Sequence, residues 1–134
     1  MKTLIVEDDF TSRLLLLEIL QGYGTSHVAA NGLEAVGAVS AALDAEEPYD
    51  LVCMDIMMPE MDGQQALREI RALEERKGRD CGRGARILMT TALGDKQNVL
   101  LAFREQCDGY LVKPLNKRQL LDQLAALGLV GELS

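Results

Sequence analysis

The chain is short of cysteine, of long apolar runs and of positive charge, and each shortage removes a class of protein. Its three cysteines, Cys53, Cys81 and Cys107, lie far apart and form no CxxC pair, which argues against both a disulfide framework and a zinc site. Cys53 falls inside an apolar run and reads as a small core residue. No apolar stretch approaches the roughly 18 residues needed to span a bilayer. The amino terminus, Met1-Lys2-Thr3-Leu4-Ile5-Val6, meets an acid at Glu7 instead of continuing as a signal peptide. No membrane association is expected, and the expected location is the cytoplasm. Lysine and arginine number 14 against 21 aspartates and glutamates, for a formal charge of -7. Such a chain is repelled by phosphate backbones, so nucleic acid is not expected as a partner, whereas cations and basic partners are. No Gly-x-Gly-x-x-Gly follows the first apolar run, which disfavours a dinucleotide or flavin binder.

What remains is an ordinary folding composition. With 134 residues, 48% hydrophobic and 26% charged, the chain is expected to form one domain, 1–134, that buries a core without staples. The expected core covers about 2–127, with 128–134 as a short tail that leaves no room for an output domain. No internal repeat or low-complexity segment is evident.

The chain is organised around Tyr49 to Gly63. Leu51 to Met54 reads as a buried strand, followed at once by Asp55, then by Met58-Pro59 and a turn that ends at Gly63. Asp62, just ahead of a helical pattern running from Gln64 to Arg76, is the better candidate for a helix cap, which leaves Asp55 free for chemistry. The same alternation runs through the rest of the chain. Strands are expected over Thr3 to Val6, Thr25 to Ala30, Arg86 to Thr91 and Gly109 to Val112. Helices are expected from Phe10 or Thr11 to Tyr23, Leu33 to Leu43, Asp95 to Gln106 and Asn116 to Leu127. The helix from Gln64 carries Ala66, Leu67, Ile70 and Leu73 on its apolar face and Arg68, Glu69 and Arg71 on its polar face. Glu74 to Ala85 mixes charges with Gly78, Gly82 and Gly84 and reads as a flexible, solvated loop, with a docking element as the alternative. Five strands alternating with five helices imply right-handed crossovers and a doubly wound α/β fold with a parallel sheet.

In such a sheet, ligands bind at the carboxyl ends of the strands, where the strand order switches. The first strand delivers Glu7-Asp8-Asp9 to that edge, the third Asp55, the fourth Thr90-Thr91 and the fifth Lys113-Pro114. Asp9 or Thr11 is expected to cap the first helix, while Glu7 and Asp8 come too early for that task. Clustered carboxylates repel unless a hard cation neutralises them, and Mg2+ suits one or two carboxylates completed by water and phosphate oxygens. A divalent site is therefore expected, with the Lys113 ammonium offsetting charge and binding a phosphoryl group. Met54, Met57, Met58 and Met61 read as gap-fillers, since thioethers do not suit hard cations. His27 is expected to be exposed and is assigned no role.

Several pieces in fixed order resemble the receiver domains of bacterial two-component response regulators. They are Val6-Glu7-Asp8-Asp9, Asn31-Gly32-Leu33-Glu34-Ala35, Asp50 to Pro59, Met61-Asp62-Gly63, Thr91-Ala92 and Gly109-Tyr110-Leu111-Val112-Lys113-Pro114. The resemblance runs from Lys2 to about Leu127 and implies a flavodoxin-like sheet in the order 2-1-3-4-5. It implies a phosphorylation-dependent switch that accepts a phosphoryl group on Asp55 from a histidine kinase or a histidine phosphotransfer protein, and not an enzyme acting on other substrates. By the same resemblance, Mg2+ is ligated by Asp8, Asp55 and the backbone carbonyl of Met57, with Glu7 nearby or acting through water. Thr91, Lys113 and the Ala92 backbone would hold the phosphoryl group, and Thr91 and Tyr110 would form the switch.

The implied downstream protein docks on the face made by the fourth helix, fifth strand and fifth helix, and a phosphorylation-dependent homodimer is a further arrangement the resemblance allows. A tight reversal must follow the fifth strand if Lys113 is to turn toward Asp55, so a cis Lys113-Pro114 bond is expected. Leu93 and Met57 occupy positions that tune acyl-phosphate lifetime in this family, and neither offers a polar group to orient an attacking water. The rival reading, a Mg2+-dependent phosphohydrolase with an aspartate nucleophile, wants a second aspartate where Met57 stands. The third, a receiver-like module that binds partners without phosphorylation, would be marked by a lost acid or lysine, and none is lost.

Overall fold

Five short runs form strands: β1 (Thr3–Val6), β2 (Ser26–Ala29), β3 (Leu51–Asp55), β4 (Arg86–Thr91) and β5 (Gly109–Val112). In the computed structural model, which describes residues 1–58, 60–79, 84–92, 97, 100–102 and 106–130, they pair in parallel in the order β2-β1-β3-β4-β5. This is the doubly wound parallel sheet expected from the alternation of the sequence, in the flavodoxin-like order that the family resemblance implied. The helices are α1 (Phe10–Leu20), α2 (Gly32–Asp44), α3 (Gly63–Arg76), α4, of which Gln97 and 100–102 are described, and α5 (Lys117–Ala126). A short 3-10 turn, Gln21–Tyr23, extends α1 to the expected end of the first helix. The rest of the expected Asp95 to Gln106 helix lies outside the described residues, except Gln106, which is in a turn with φ 76°. Among the described residues, no helix is long and apolar enough to cross a membrane.

Side chains alternate across a strand, so a sheet covered on both faces needs apolar residues at every position. Leu4, Val6, Val52, Met54, Ile87 and Met89 face one way, into a core shared with Val39 of α2, Leu67 and Ile70 of α3, and Ala102 of α4. Ile5, Leu51, Cys53, Leu88 and Leu111 face the other way, against Leu16, Ile19 and Leu20 of α1 and Leu120, Leu121 and Leu124 of α5. Burial pushes the Cys53 thiol up to about 12, in keeping with an inert core residue.

Four helices begin on a short polar side chain that accepts a hydrogen bond from an otherwise unsatisfied backbone N–H. Asp9 accepts from Ser12 N, Asn31 from Glu34 N, Asp62 from Gln65 N and Asn116 from Gln119 N, at 2.8–2.9 Å. Asp62 and Asp9 thus take up the capping tasks that keep them out of the strand-tip chemistry.

The expected Glu74 to Ala85 loop needs correction at its start, because Glu74 to Arg76 complete α3 and Glu74 is buried. Arg71, expected on the polar face of that helix, turns inward as well. It donates to Glu74 Oε1 at 2.7 Å, to Ala85 O at 2.8 Å, to Gln106 O at 2.9 Å and to Asp108 Oδ2 at 2.8 Å. The second Glu74 oxygen accepts from Ala85 N at 2.7 Å. One guanidinium therefore ties the end of α3 to the segments that enter β4 and β5. Residues 80–83 of the expected loop lie outside the described set.

Candidate functional site

The alternation that builds the two cores also sorts the strand tips. Cys53 pairs with Leu88 and Asp55 with Thr90 in the β3–β4 register, and Thr90 with Leu111 in β4–β5. Counting on by twos from Ile5, Cys53, Leu88 and Leu111 places Glu7, Asp55, Thr90 and Lys113 on the face covered by α1 and α5. Thr91 falls on the opposite face with Met54 and Met89.

Lys113 joins two of these groups. Its Nζ donates to Asp55 Oδ2 at 2.8 Å and to Glu7 Oε1 at 2.9 Å. The Lys113–Pro114 peptide is cis, and Lys113 N remains bonded to Thr91 O at 2.8 Å, so the strand ends and the side chain turns back within one residue. The other Asp55 oxygen, Oδ1, accepts from Met57 N at 3.1 Å, which folds the loop after β3 over the carboxylate. Beneath that loop Gly63 N donates to Ile56 O at 2.8 Å, and a Cβ on Gly63 would overlap the carbonyl oxygen of Asp55. The glycine at that position is a requirement of close approach.

The electrostatics are unbalanced. Burial pushes the Glu7 carboxyl up to about 7, against the pull of Lys113 and with added repulsion from Asp55. Burial also disfavours the charge on Lys113, but its hydrogen bonds to Asp55 and Glu7 outweigh this and raise its pKa. Carboxylate oxygens of Glu7, Asp8 and Asp55 lie within 4.8 Å of one another. Glu7 Oε2 is buried and has no hydrogen-bond partner among the described residues. An all-oxygen donor set with excess negative charge and an unsatisfied buried acceptor fits a hard divalent cation such as Mg2+.

A sequence profile for the response regulator receiver domain matches residues 3–125. The chain belongs to the response regulator receiver domain family. This receiver domain is 34% identical to the chemotaxis protein CheY of Halobacterium salinarum over 125 residues, which are 92% of this chain and 93% of the relative. It resembles the receiver domain of the histidine kinase CKI1 from Arabidopsis thaliana complexed with Mg2+ and BeF3-, with a TM-score of 0.82 and 29% identity, over 95% of this chain and 89% of that one. It also resembles the CheX-CheY-BeF3-Mg+2 complex from Borrelia burgdorferi, with a TM-score of 0.77 and 28% identity, over 96% and 89% of the two chains. A receiver domain is a regulatory part of two-component signalling, and the cluster of Glu7, Asp8 and Asp55 is consistent with a Mg2+ site.

The receiver's expected residues are not all drawn into one cluster. Glu7, Asp8, Asp55 and Lys113 converge, whereas Thr91, buried, donates its hydroxyl to Ala92 O at 3.4 Å. Tyr110 is 38% exposed on β5, the last strand of the sheet. Met57 is exposed beside the site, and Leu93 lies outside the described residues. His27 is exposed, as expected, although its Nδ1 lies 2.7 Å from the Tyr49 hydroxyl. Sequence reasoning named Thr90 only as the neighbour of Thr91 and gave it no task. The signal that singles it out is its register opposite Asp55.

Proposed function

We propose that this receiver domain is a signalling switch that takes a phosphoryl group onto Asp55 from the phosphohistidine of a kinase or a phosphotransfer protein. The observation that carries the reading is the bonding of Asp55 to Lys113 at the tip of β3, within the oxygen cluster shared with Glu7 and Asp8. In the transfer, the phosphorus–nitrogen bond of the donor breaks and a phosphorus–oxygen bond forms to the Asp55 carboxylate. The released imidazole takes up a proton. Little is asked of the protein beyond positioning and charge neutralisation. Met57 N and Lys113 hold the carboxylate in one orientation, and the Lys113 ammonium is placed to turn to the incoming phosphoryl oxygens. Asp8, Asp55 and the Met57 carbonyl would hold Mg2+, with Glu7 acting through water, and the bound ion would supply further neutralisation of the phosphoryl oxygens.

The output follows from Thr91 and Tyr110. Thr91 exchanges its bond to Ala92 O for one to the phosphoryl group, Ala92 N donates to the same group, and the space left behind admits Tyr110. The α4–β5–α5 face then changes shape, a local charge acting on a two-state element. Leu100 of α4 and Tyr110 of β5 are exposed, and exposed apolar side chains on the elements of that face support protein docking there. The test is intact-mass measurement after incubation with acetyl phosphate and Mg2+. One phosphoryl group is expected on the wild type and none on Asp55→Asn, and equal labelling of the two would overturn the assignment.

A further inference from the structure

Thr90 is 1% exposed, and its hydroxyl oxygen has no hydrogen-bond partner among the described residues. A buried hydroxyl without a partner is costly, and an isosteric valine would avoid that cost, so its presence needs a reason. Its place suggests one. Thr90 is the register partner of Asp55 across β3 and β4, on the same face of the sheet, and its carbonyl already accepts from Ile56 N at 3.0 Å, just past Asp55. The backbone on both sides of this hydroxyl is therefore fixed by the sheet. The side chain can only rotate, and among the described residues the polar side chains that alternation places on its face at the strand tips are those of Asp55, Glu7 and Lys113.

In the present structure Asp55 has its donors, Met57 N on one oxygen and Lys113 Nζ on the other, and the Thr90 hydroxyl is left over. Phosphorylation changes this count. A phosphoryl group draws the Lys113 ammonium to its own oxygens, and Asp55 loses a donor. We propose that Thr90 is a positioning residue of the phosphoryl site, its hydroxyl donating to the Asp55 acyl phosphate once Lys113 has turned to the phosphoryl oxygens. The inference rests on the reading of Asp55 as phosphoryl acceptor and adds a residue to it. Thr91 serves from the opposite face of the sheet, so the two neighbouring threonines have separate tasks.

The test compares wild type, Thr90→Val and Thr90→Ser by calorimetric titration with beryllofluoride in saturating Mg2+, and with Mg2+ alone. Valine keeps the shape of threonine and serine keeps its hydroxyl. Thr90→Val is expected to bind beryllofluoride roughly tenfold more weakly, the loss of one hydrogen bond to a charged group. Thr90→Ser should stay within about twofold of wild type, and Mg2+ affinity should be alike in all three. A purely structural threonine would not separate the two titrations. Equal beryllofluoride affinity in Thr90→Val and wild type would overturn the role of the hydroxyl while leaving Asp55 as acceptor, and so would a serine variant as weak as the valine one. Failure of the wild type itself to bind beryllofluoride or to label with acetyl phosphate would remove the Asp55 reading, and Thr90's task with it.

Discussion

Replacing Arg71 with methionine removes four hydrogen bonds at once, to Glu74, Ala85, Gln106 and Asp108. Its side chain is 15% exposed and that of Glu74 only 4%, so the variant strands a carboxylate that water barely reaches. Removing one partner of a buried ion pair costs about 3–5 kcal/mol. The lower end applies here, because Ala85 N still donates to Glu74 and Arg86 stands 3.6 Å from Asp108. A loss of about 3 kcal/mol lowers the melting temperature of a chain this long by about 10 °C. Urea unfolding followed by far-ultraviolet circular dichroism reads the loss directly, with the slope expected to stay unchanged. Adding Glu74→Gln to the variant should recover part of it, since the amide keeps an acceptor for Ala85 N and removes the stranded charge. Labelling of Asp55 should persist, because Ala85 and Asp108 precede β4 and β5 whereas Asp55 ends β3 at the other edge of the sheet. A loss below about 1 kcal/mol, the range of exposed pairs, would refute the inward clamp.

Asp8→Ala should weaken Mg2+ binding at least about tenfold by titration while leaving the circular dichroism spectrum intact, since it removes an exposed carboxylate of the proposed cation site and relieves carboxylate repulsion. Unchanged Mg2+ affinity would contradict its place in the site. Lys113→Met should slow acetyl-phosphate labelling roughly a hundredfold, the usual effect of deleting one charge-stabilising donor. Labelling at the wild-type rate would mean that the ammonium serves only the resting form. Gly63→Ala should cost about 1–3 kcal/mol in urea unfolding, because the added methyl overlaps the Asp55 carbonyl and pushes α3 away from the tip of β3. A midpoint equal to wild type would show that the loop yields freely.

The strands were legible because a parallel sheet covered on both faces writes itself as short runs that are apolar at every position, as in Leu51 to Met54 and Ile87 to Met89. The helix starts were legible for a different reason: Asp9, Asp62 and Asn116 are residues whose short side chains satisfy a local donor, so the information needed is three residues long. Arg71 and Glu74 pair with each other locally, but they were misjudged because the partners that draw them inward, Ala85, Gln106 and Asp108, are distant in the chain. Asp108 is 37 residues from Arg71 in the chain, and no periodicity within α3 distinguishes an arginine that bonds a neighbouring loop from one that is solvated. Three glycines and several charges nearby then made a buried carboxylate look like the beginning of a flexible loop.

The strand tips mix both situations. That Glu7, Asp55 and Lys113 reach one edge follows from strand ends alone, and strand ends are visible in the sequence. Which of two adjacent threonines faces Asp55 requires the register between β3 and β4, which only the folded sheet supplies. With the register in hand, the rule of alternation that sorts Leu88 from Met89 in the core continues past the last apolar residue and sorts Thr90 from Thr91. The site is therefore two-sided in the same way as the core. Glu7, Asp55 and Lys113 share the α1–α5 face with Thr90 and hold the charges, while Thr91 stands on the α3–α4 side, nearer the helix whose neighbour β5 carries Tyr110. A phosphoryl group at Asp55 that engages Thr91 must reach across the end of the sheet. On the proposed reading, that crossing would couple the charge at Asp55 to a rearrangement at Thr91 and Tyr110.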